Sequence, residues 1–287
     1  MTTSFSEKEA IRNRKSVRSF DGKPLSEEDR SALEQYLKEL TAPFGVPVEF
    51  RLLDADENGL SSPVIIGART YFAAKAEKTG HFELGLGYSF EKACLYAASR
   101  GMGTVMLAAS LNREAFEKAL DVKENEVMPV ASPVGYPAAK RSIRESLMRK
   151  GLKADDRVPF ERLFFRDGFD RPLRKEDAGD LADALEAVRW APSAANRQPW
   201  RAVITESGVH FYEQKSIKDS PLGDVQKVDM GIALCHFDLS LEEDGISGSF
   251  VFEDPELAVP GNTHYIGSWE RDAGKALPDP GTEMKTE

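Results

Sequence analysis

Four cations and a hydroxyl fall within residues 12–18 of the stretch IRNRKSVRSFD: Arg12, Arg14, Lys15, Ser16 and Arg18. An arginine offers a planar fork of N–H donors and serine a neutral donor, a set that suits a phosphate. In extended geometry Arg14, Ser16 and Arg18 share one face and Lys15 takes the other. A second unusual run, RWAPSAANRQPW (189–200), sits far along the chain. Two prolines and two tryptophans bracket Ser193, Ala194, Ala195 and Asn196, directly after a helical pattern. A plain turn needs far less than such a loop of small and polar residues. Trp190 and Trp200 are expected to anchor the loop in the core.

These segments belong to a chain that contains itself twice. FDGKPLSEEDRSAL (20–33) resembles FDRPLRKEDAGDL (169–181) with one residue deleted. Leu33, Tyr36, Leu37 and Leu40 then repeat at helical spacing, as do Leu181, Ala184, Leu185 and Val188. Ser26 with Asp29 three residues on reads as a helix cap. The first copy passes from Thr41-Ala42-Pro43 almost directly into a strand-like segment, whereas the second inserts SAANRQ after Trp190-Ala191-Pro192. The scaffold tolerates both versions, so stability alone does not require the longer loop. The second copy also lacks the basic alternation of the first. If the halves pack as a pseudo-dimer, one site combines the arm of half one with the loop of half two, and the opposite site has neither.

Each half carries a further long helix, around Phe90, Ala93, Cys94 and Ala97 and within VDMGIALCHFDL (228–239), closed by Gly101 and Gly245. VPVEFRLL, TVMLAA, VMPVASPVGY, RAVITE, VHFYEQ and GSFVFE read as short strands. The expected organisation is an α+β protein of two halves, 1–155 and 156–270, with a polar tail over 271–287. The basic run Lys140, Arg141, Arg144, Arg149, Lys150 and Lys153 reads mostly as a solvated linker helix.

The 287 residues are 41% hydrophobic and 30% charged, as in an ordinary soluble domain. The net charge of −10 disfavours nucleic-acid and anionic-membrane roles, which need a basic footprint. Two isolated apolar cysteines, Cys94 and Cys235, and an N-terminus without a signal-like apolar run fit a cytoplasmic protein. His81, His210, His236 and His264 are scattered without metal-ligand spacing, so no metal site and no histidine base are expected. The glycine pair Gly85/Gly87 does not complete a dinucleotide fingerprint.

RKSVRSFDGKPLSEED and WAPSAANRQPWRAVI together resemble the signatures of the FMN-dependent nitroreductase superfamily, in its tandem-fused branch. FEKACLYAASRGMGTVMLAA, PVGYPAAKR, VDMGIALCHFDL and YIGSW extend the resemblance over nearly the whole chain. It implies an α+β nitroreductase-like fold, a two-half sandwich of a central antiparallel-rich sheet wrapped by helices, with the halves forming an intramolecular pseudo-dimer. Residue by residue it implies Arg14 and Ser16 at the FMN phosphate and Arg18 near the pyrimidine edge of the ring, with Lys15 also among the cofactor-binding residues. It puts Lys140 and Arg141 near the phosphate, and Leu107, Ala108 and Ala109 beside the flavin. Pro192, Ser193, Ala194 and Asn196 would line the ring and ribityl chain from the other half. The missing loop in half one and the missing Arg-Lys-Ser in half two imply one FMN per chain.

The function implied is an FMN-dependent oxidoreductase, with NAD(P)H as reductant and a nitroaromatic, quinone or similar small molecule as acceptor. No protein side chain need be catalytic, because the cofactor carries the chemistry. The alternatives are a non-catalytic flavin- or ligand-binding protein and another flavin chemistry of the superfamily. The fused halves make a monomer sufficient.

Overall fold

A computed structural model describes residues 5–272. From residue 273 on, the expected polar tail lies outside the described residues. The chain opens with helix α1 (Glu7–Asn13), then α2 (Glu27–Glu39), strand β1 (Glu49–Asp54), a short α3 (Ala55–Asn58), β2 (Thr70–Glu77) and the long α4 (Phe82–Ser99). β3 (Gly103–Thr104), α5 (Arg113–Leu120), β4 (Glu126–Val127), β5 (Ala131–Gly135) and α6 (Ile143–Gly151) complete the first half. The second half holds β6 (Phe164–Arg166), β7 (Gly168–Pro172), α7 (Ala182–Trp190), β8 (Trp200–Ile204), β9 (Val209–Gln214), the long α8 (Val225–Glu243), β10 (Gly248–Val251) and β11 (Thr263–Arg271).

Each half builds its own sheet. The first runs β1-β2-β5-β3 with β4 also on β2, all antiparallel; the second runs β10-β11-β9-β8-β6-β7, antiparallel except for β6 beside β8. The architecture is therefore α+β with two sheets rather than one central sheet.

Local signals act where the residue types require them. Ser26 caps α2 by accepting the Asp29 N–H at 3.1 Å, and Leu33 and Leu37 face the core. Its counterpart in half two lacks the cap and enters α7 through two short 3-10 turns. TVMLAA pairs as a strand only at its start; Leu107 then bridges to Ala131. Trp200 is fully buried, as expected, but Trp190 is 43% exposed and anchors nothing in the core.

The halves meet along α4 and α8. A Cβ at Gly87 would lie 2.1 Å from the Val228 carbonyl oxygen, and one at Gly231 would lie 2.2 Å from that of Leu84. One and the same shift in sequence relates Gly87 to Gly231 and Leu84 to Val228, so the crossing is locally two-fold. This explains Gly87, which belongs to no dinucleotide motif: it lets two helix backbones touch. Leu84, Tyr88 and Leu95 of α4 belong to the second-half core, and Val228 of α8 to the first. Helix α1 likewise buries Ala10 and Ile11 among second-half residues. Gly87→Ala should cost about 1–3 kcal/mol by overpacking the crossing. Thermal unfolding checks this; an unchanged midpoint would mean that the helices can separate freely.

Candidate functional site

Helix α1 stops at Arg14, whose backbone turns extended (φ −59°, ψ 128°). The chain then runs beside β3, with Ser16 bridging Thr104 and the Val17 N–H donating to the Thr104 carbonyl at 2.9 Å. Extension places Arg14, Ser16 and Arg18 on a cavity of about 330 Å³ at the junction of the two halves. Lys15 lines it as well, although exposed.

The facing wall is the loop after α7. Pro192 follows the end of the helix, and the chain then takes three left-handed turns on residues that are not glycine: Ala195 (φ 49°), Asn196 (φ 54°) and Gln198 (φ 50°). Each costs roughly 1 kcal/mol or more, so neighbours must hold the shape. Asp229 of α8 accepts the Ala194 N–H with both carboxyl oxygens at 3.0 Å, and Ser193 Oγ accepts the Gln198 N–H at 2.8 Å. Asn196 Nδ2 donates to the carbonyls of Lys153 (2.7 Å) and Asp156 (3.1 Å). Its amide nitrogen thus ties down the segment joining the halves rather than pointing at a ligand.

Pro192, Ser193, Ala194 and Asn196 line the cavity opposite Arg14, Lys15, Ser16 and Arg18, and Ala108 contributes to the same wall system. Leu107 is packed into the first-half core, and Ala109, Lys140 and Arg141 lie outside the cavity. Arg141 lines a neighbouring surface groove and approaches Glu145 to 3.9 Å. The structure adds residues that the sequence did not single out, Glu91 from α4, Asp229 from α8 and Arg157 from the linker, together with Arg149 of α6, read as part of a solvated linker helix, and Trp190, read as a core anchor.

Charge dominates this space. Arg157 stacks on Trp190, 4.8 Å from guanidinium carbon to ring centre, and donates to the Ala154 (3.0 Å) and Asp156 (2.9 Å) carbonyls. Burial, then repulsion from Arg14 and Arg189, pulls its pKa down to about 10. Burial likewise lowers Arg18, with Glu145 opposing the shift. Arg14 Nε forms a 3.1 Å ion pair with Glu91 Oε1 but is not aligned to hydrogen-bond it. The Nε atoms of Arg14, Arg18 and Arg157 are all buried without a hydrogen-bond partner. Burial raises the Asp229 carboxyl well above its usual range, so it does not offset these cations fully.

At the place related to this cavity by the α4/α8 two-fold, aromatic side chains crowd together. Phe44, which follows Thr41-Ala42-Pro43 as Ser193 follows Trp190-Ala191-Pro192, packs on Tyr88 (5.7 Å between ring centres), Phe250 (5.4 Å) and Phe252 (5.8 Å). His81 stacks on Phe252 at 3.7 Å. Tyr88 is the counterpart, by the same shift, of Ile232, which lines the cavity.

The sequence model of the family described as "Putative TM nitroreductase" matches residues 7–241. The chain belongs to this nitroreductase family. A Thermotoga maritima structure described as a "putative nitroreductase" is similar over 94% of this chain and 95% of that one, with 21% identity and a TM-score of 0.61, which supports the nitroreductase fold. A Bacteroides thetaiotaomicron "Putative NADH dehydrogenase/NAD(P)H nitroreductase" aligns with 49% of this chain and 91% of its own at 22% identity and TM-score 0.38. A nitroreductase family protein from Clostridium novyi aligns with 50% and 91% at 16% identity and TM-score 0.40. No curated protein matches significantly. Among the described residues of this chain, no helix is long and apolar enough to cross a membrane.

Asp229 gives this site a pH signature. An acid whose folded pKa lies above its unfolded value of 3.8 binds more protons in the native state, so stability is lost as pH rises from about 4 through the folded pKa. Asp229→Asn removes that loss yet keeps an acceptor for the Ala194 N–H. The variant should be more heat-stable than the parent at pH 8, with the gap closing toward pH 4. Parallel melting-temperature profiles would show that Asp229 is ionised in the fold.

Proposed function

We propose that this member of the nitroreductase family binds FMN in the cavity between its halves and uses NAD(P)H to reduce a nitroaromatic, a quinone or a similar small acceptor. The observation that carries the proposal is the composite cavity itself. Arg14, Arg18 and Arg157, each with a buried Nε that lacks a hydrogen-bond partner, line one cavity together with the small residues of the second-half loop. Its volume falls in the range of small-molecule sites.

The residues fit FMN by chemistry. A phosphate carrying nearly two negative charges would relieve the mutual repulsion of the arginines, and charge-assisted bonds are roughly twice as strong as neutral ones. Arg14, Ser16 and Arg157 would hold the phosphate, with Lys15 at the rim. Pro192, Ser193 and Ala194 leave room for a flat ring to lie against backbone. Bound FMN supplies two-electron transfer between a nicotinamide and the acceptor. The protein's part is to hold the ring, keep water from one face and set the charge beside it. A fixed cation at Arg18 would favour the reduced, more negative ring.

One FMN per chain follows from the asymmetry, since Phe44 and its aromatic partners occupy the position equivalent to the cavity. Lys140 and Arg141, away from the cavity, act at most by long-range attraction.

The visible spectrum of the protein after loading with FMN and gel filtration tests the reading, with about one flavin per chain expected. Bleaching by NADH without oxygen, and recovery on adding a quinone, would support the enzyme over a mere flavin binder. Two flavins per chain, or none, would overturn it. Arg14→Ala should weaken FMN binding by about 1.5–3 kcal/mol, the worth of a charged hydrogen bond, read by flavin fluorescence titration. Unchanged affinity would remove Arg14 from the phosphate site.

A further inference from the structure

The cavity does not end at its rim. Beyond Arg149, Ala154 and Asp155, which belong to both, a groove of about 450 Å³ opens along α6 and the turn after it. Arg141, Lys150, Lys153 and Asp156 line this groove and not the cavity. Four cations thus stand against two carboxylates there, on a chain whose net charge is −10. Asp155 is ion-paired with Arg149. Among the described residues no carboxylate lies within ion-pair distance of Lys150 or Lys153, and both are exposed.

Ordinary helix physics accounts for part of this cluster. Arg149 and Lys150 lie in the last turn of α6, where cations offset the helix dipole. It does not account for Lys153, which follows the helix in a left-handed conformation (φ 47°) that disfavours a residue with a side chain. The Lys153 carbonyl accepts the Asp156 N–H at 2.9 Å and Asn196 Nδ2 at 2.7 Å, and the Arg149 carbonyl accepts the Ala154 N–H at 3.0 Å. The loop that walls the cavity therefore also fixes the turn that carries Lys153.

A dinucleotide whose nicotinamide enters the cavity must lay its adenosine end outside it. NADPH differs from NADH in one group, a phosphate on the adenosine ribose, and a cation beside that ribose accommodates it, whereas a carboxylate there favours NADH. In the groove Asp155 is engaged by Arg149, and Asp156 is outnumbered by Arg141, Lys150 and Lys153. Arg149 stands at the junction with the cavity, while the two unpaired lysines lie beyond it. We propose that the groove along α6 binds the ribose phosphate of NADPH, held by Lys150 and Lys153 with Arg141 beside them, and that the chain selects NADPH over NADH. Use of NADPH as reductant rests on the function proposed above; recognition of a phosphorylated adenosine by the groove needs no flavin.

The FMN-loaded full chain, assayed with NADPH and with NADH against one quinone, tests the proposal. kcat/KM should be at least about tenfold higher with NADPH, the worth of one charged hydrogen bond to the extra phosphate, and the preference should shrink as salt is added. Lys150→Gln combined with Lys153→Asn removes both charges and keeps a residue that tolerates the left-handed backbone. That variant should bring the ratio of the two kcat/KM values close to one. A parent ratio near one would overturn the proposal. So would an equal loss with both nucleotides in the variant, since the groove would then hold the pyrophosphate they share. Should the chain bind no FMN, the cavity reading falls, and titration calorimetry of the same chain with adenosine 2′,5′-bisphosphate and adenosine 5′-phosphate decides the groove. The bisphosphate should bind about tenfold more tightly, and equal affinities would overturn the proposal.

Discussion

The structure depends on a backbone-to-backbone crossing. At Gly87 and Gly231 helices α4 and α8 approach so closely that no side chain fits between them. Such proximity brings the flanking residues of each helix into the other half's core, as with Leu84 and Tyr88 in one direction and Val228 in the other. Neither half then encloses its own core. The cavity inherits this arrangement, since Glu91 and Cys94 come from α4, Asp229 and Ile232 from α8, and the arm and the loop add the remaining walls.

A two-fold crossing offers two equivalent positions, and a chain of two halves can treat them differently. In a dimer of identical chains any substitution appears at both sites. Here Ser193 and Phe44 occupy related places, so one position stays open to a ligand and the other is filled by rings packed edge to face. Filling it is favourable in itself, because aromatic side chains buried against one another gain both area and contact energy. Stability thus gives a sufficient reason for the closed position and none for the open one. The open one contains strained left-handed residues, a buried carboxyl and crowded guanidinium groups, each of which opposes folding.

The arm and the loop were legible in the sequence because their residue types are wrong for plain turns: alternating cations on an extended stretch, and small polar residues between prolines. The helices with a clear apolar stripe were legible for the same kind of reason. Strand β2 was not, because Thr70–Glu77 is buried almost throughout and rich in alanine, so it shows no alternation. Strand β11 escaped too; a bulge between Tyr265 and Gly267 breaks its period. Arg149 and Arg157 lay in a charged run that looks like any solvated linker, and only tertiary structure folds that run over the cavity. Glu91 and Asp229 were masked by the apolar helices around them. Their chemistry comes from partners 145 and 35 residues away, His236 and Ala194, and local pattern cannot report such distances.

The linker shows how these pieces cooperate. Asn196 and Gln198 of the loop hold the carbonyls and amide of residues 153–158, and Arg157 from that segment lies on Trp190 at the end of α7. The connection between the halves is therefore also a wall of the cavity, and it brings a cation there. Trp190 is exposed because its ring serves as the platform for Arg157 instead of filling the core, while its Nε1 donates to Glu186 at 2.8 Å. A guanidinium stacked on an aromatic face keeps its edge donors free, and for Arg157 one of these, Nε, is left without a partner. The loop, the linker and the cation form one unit, and its shape depends on Asp229, rooted in the same central helix whose glycine sets the crossing.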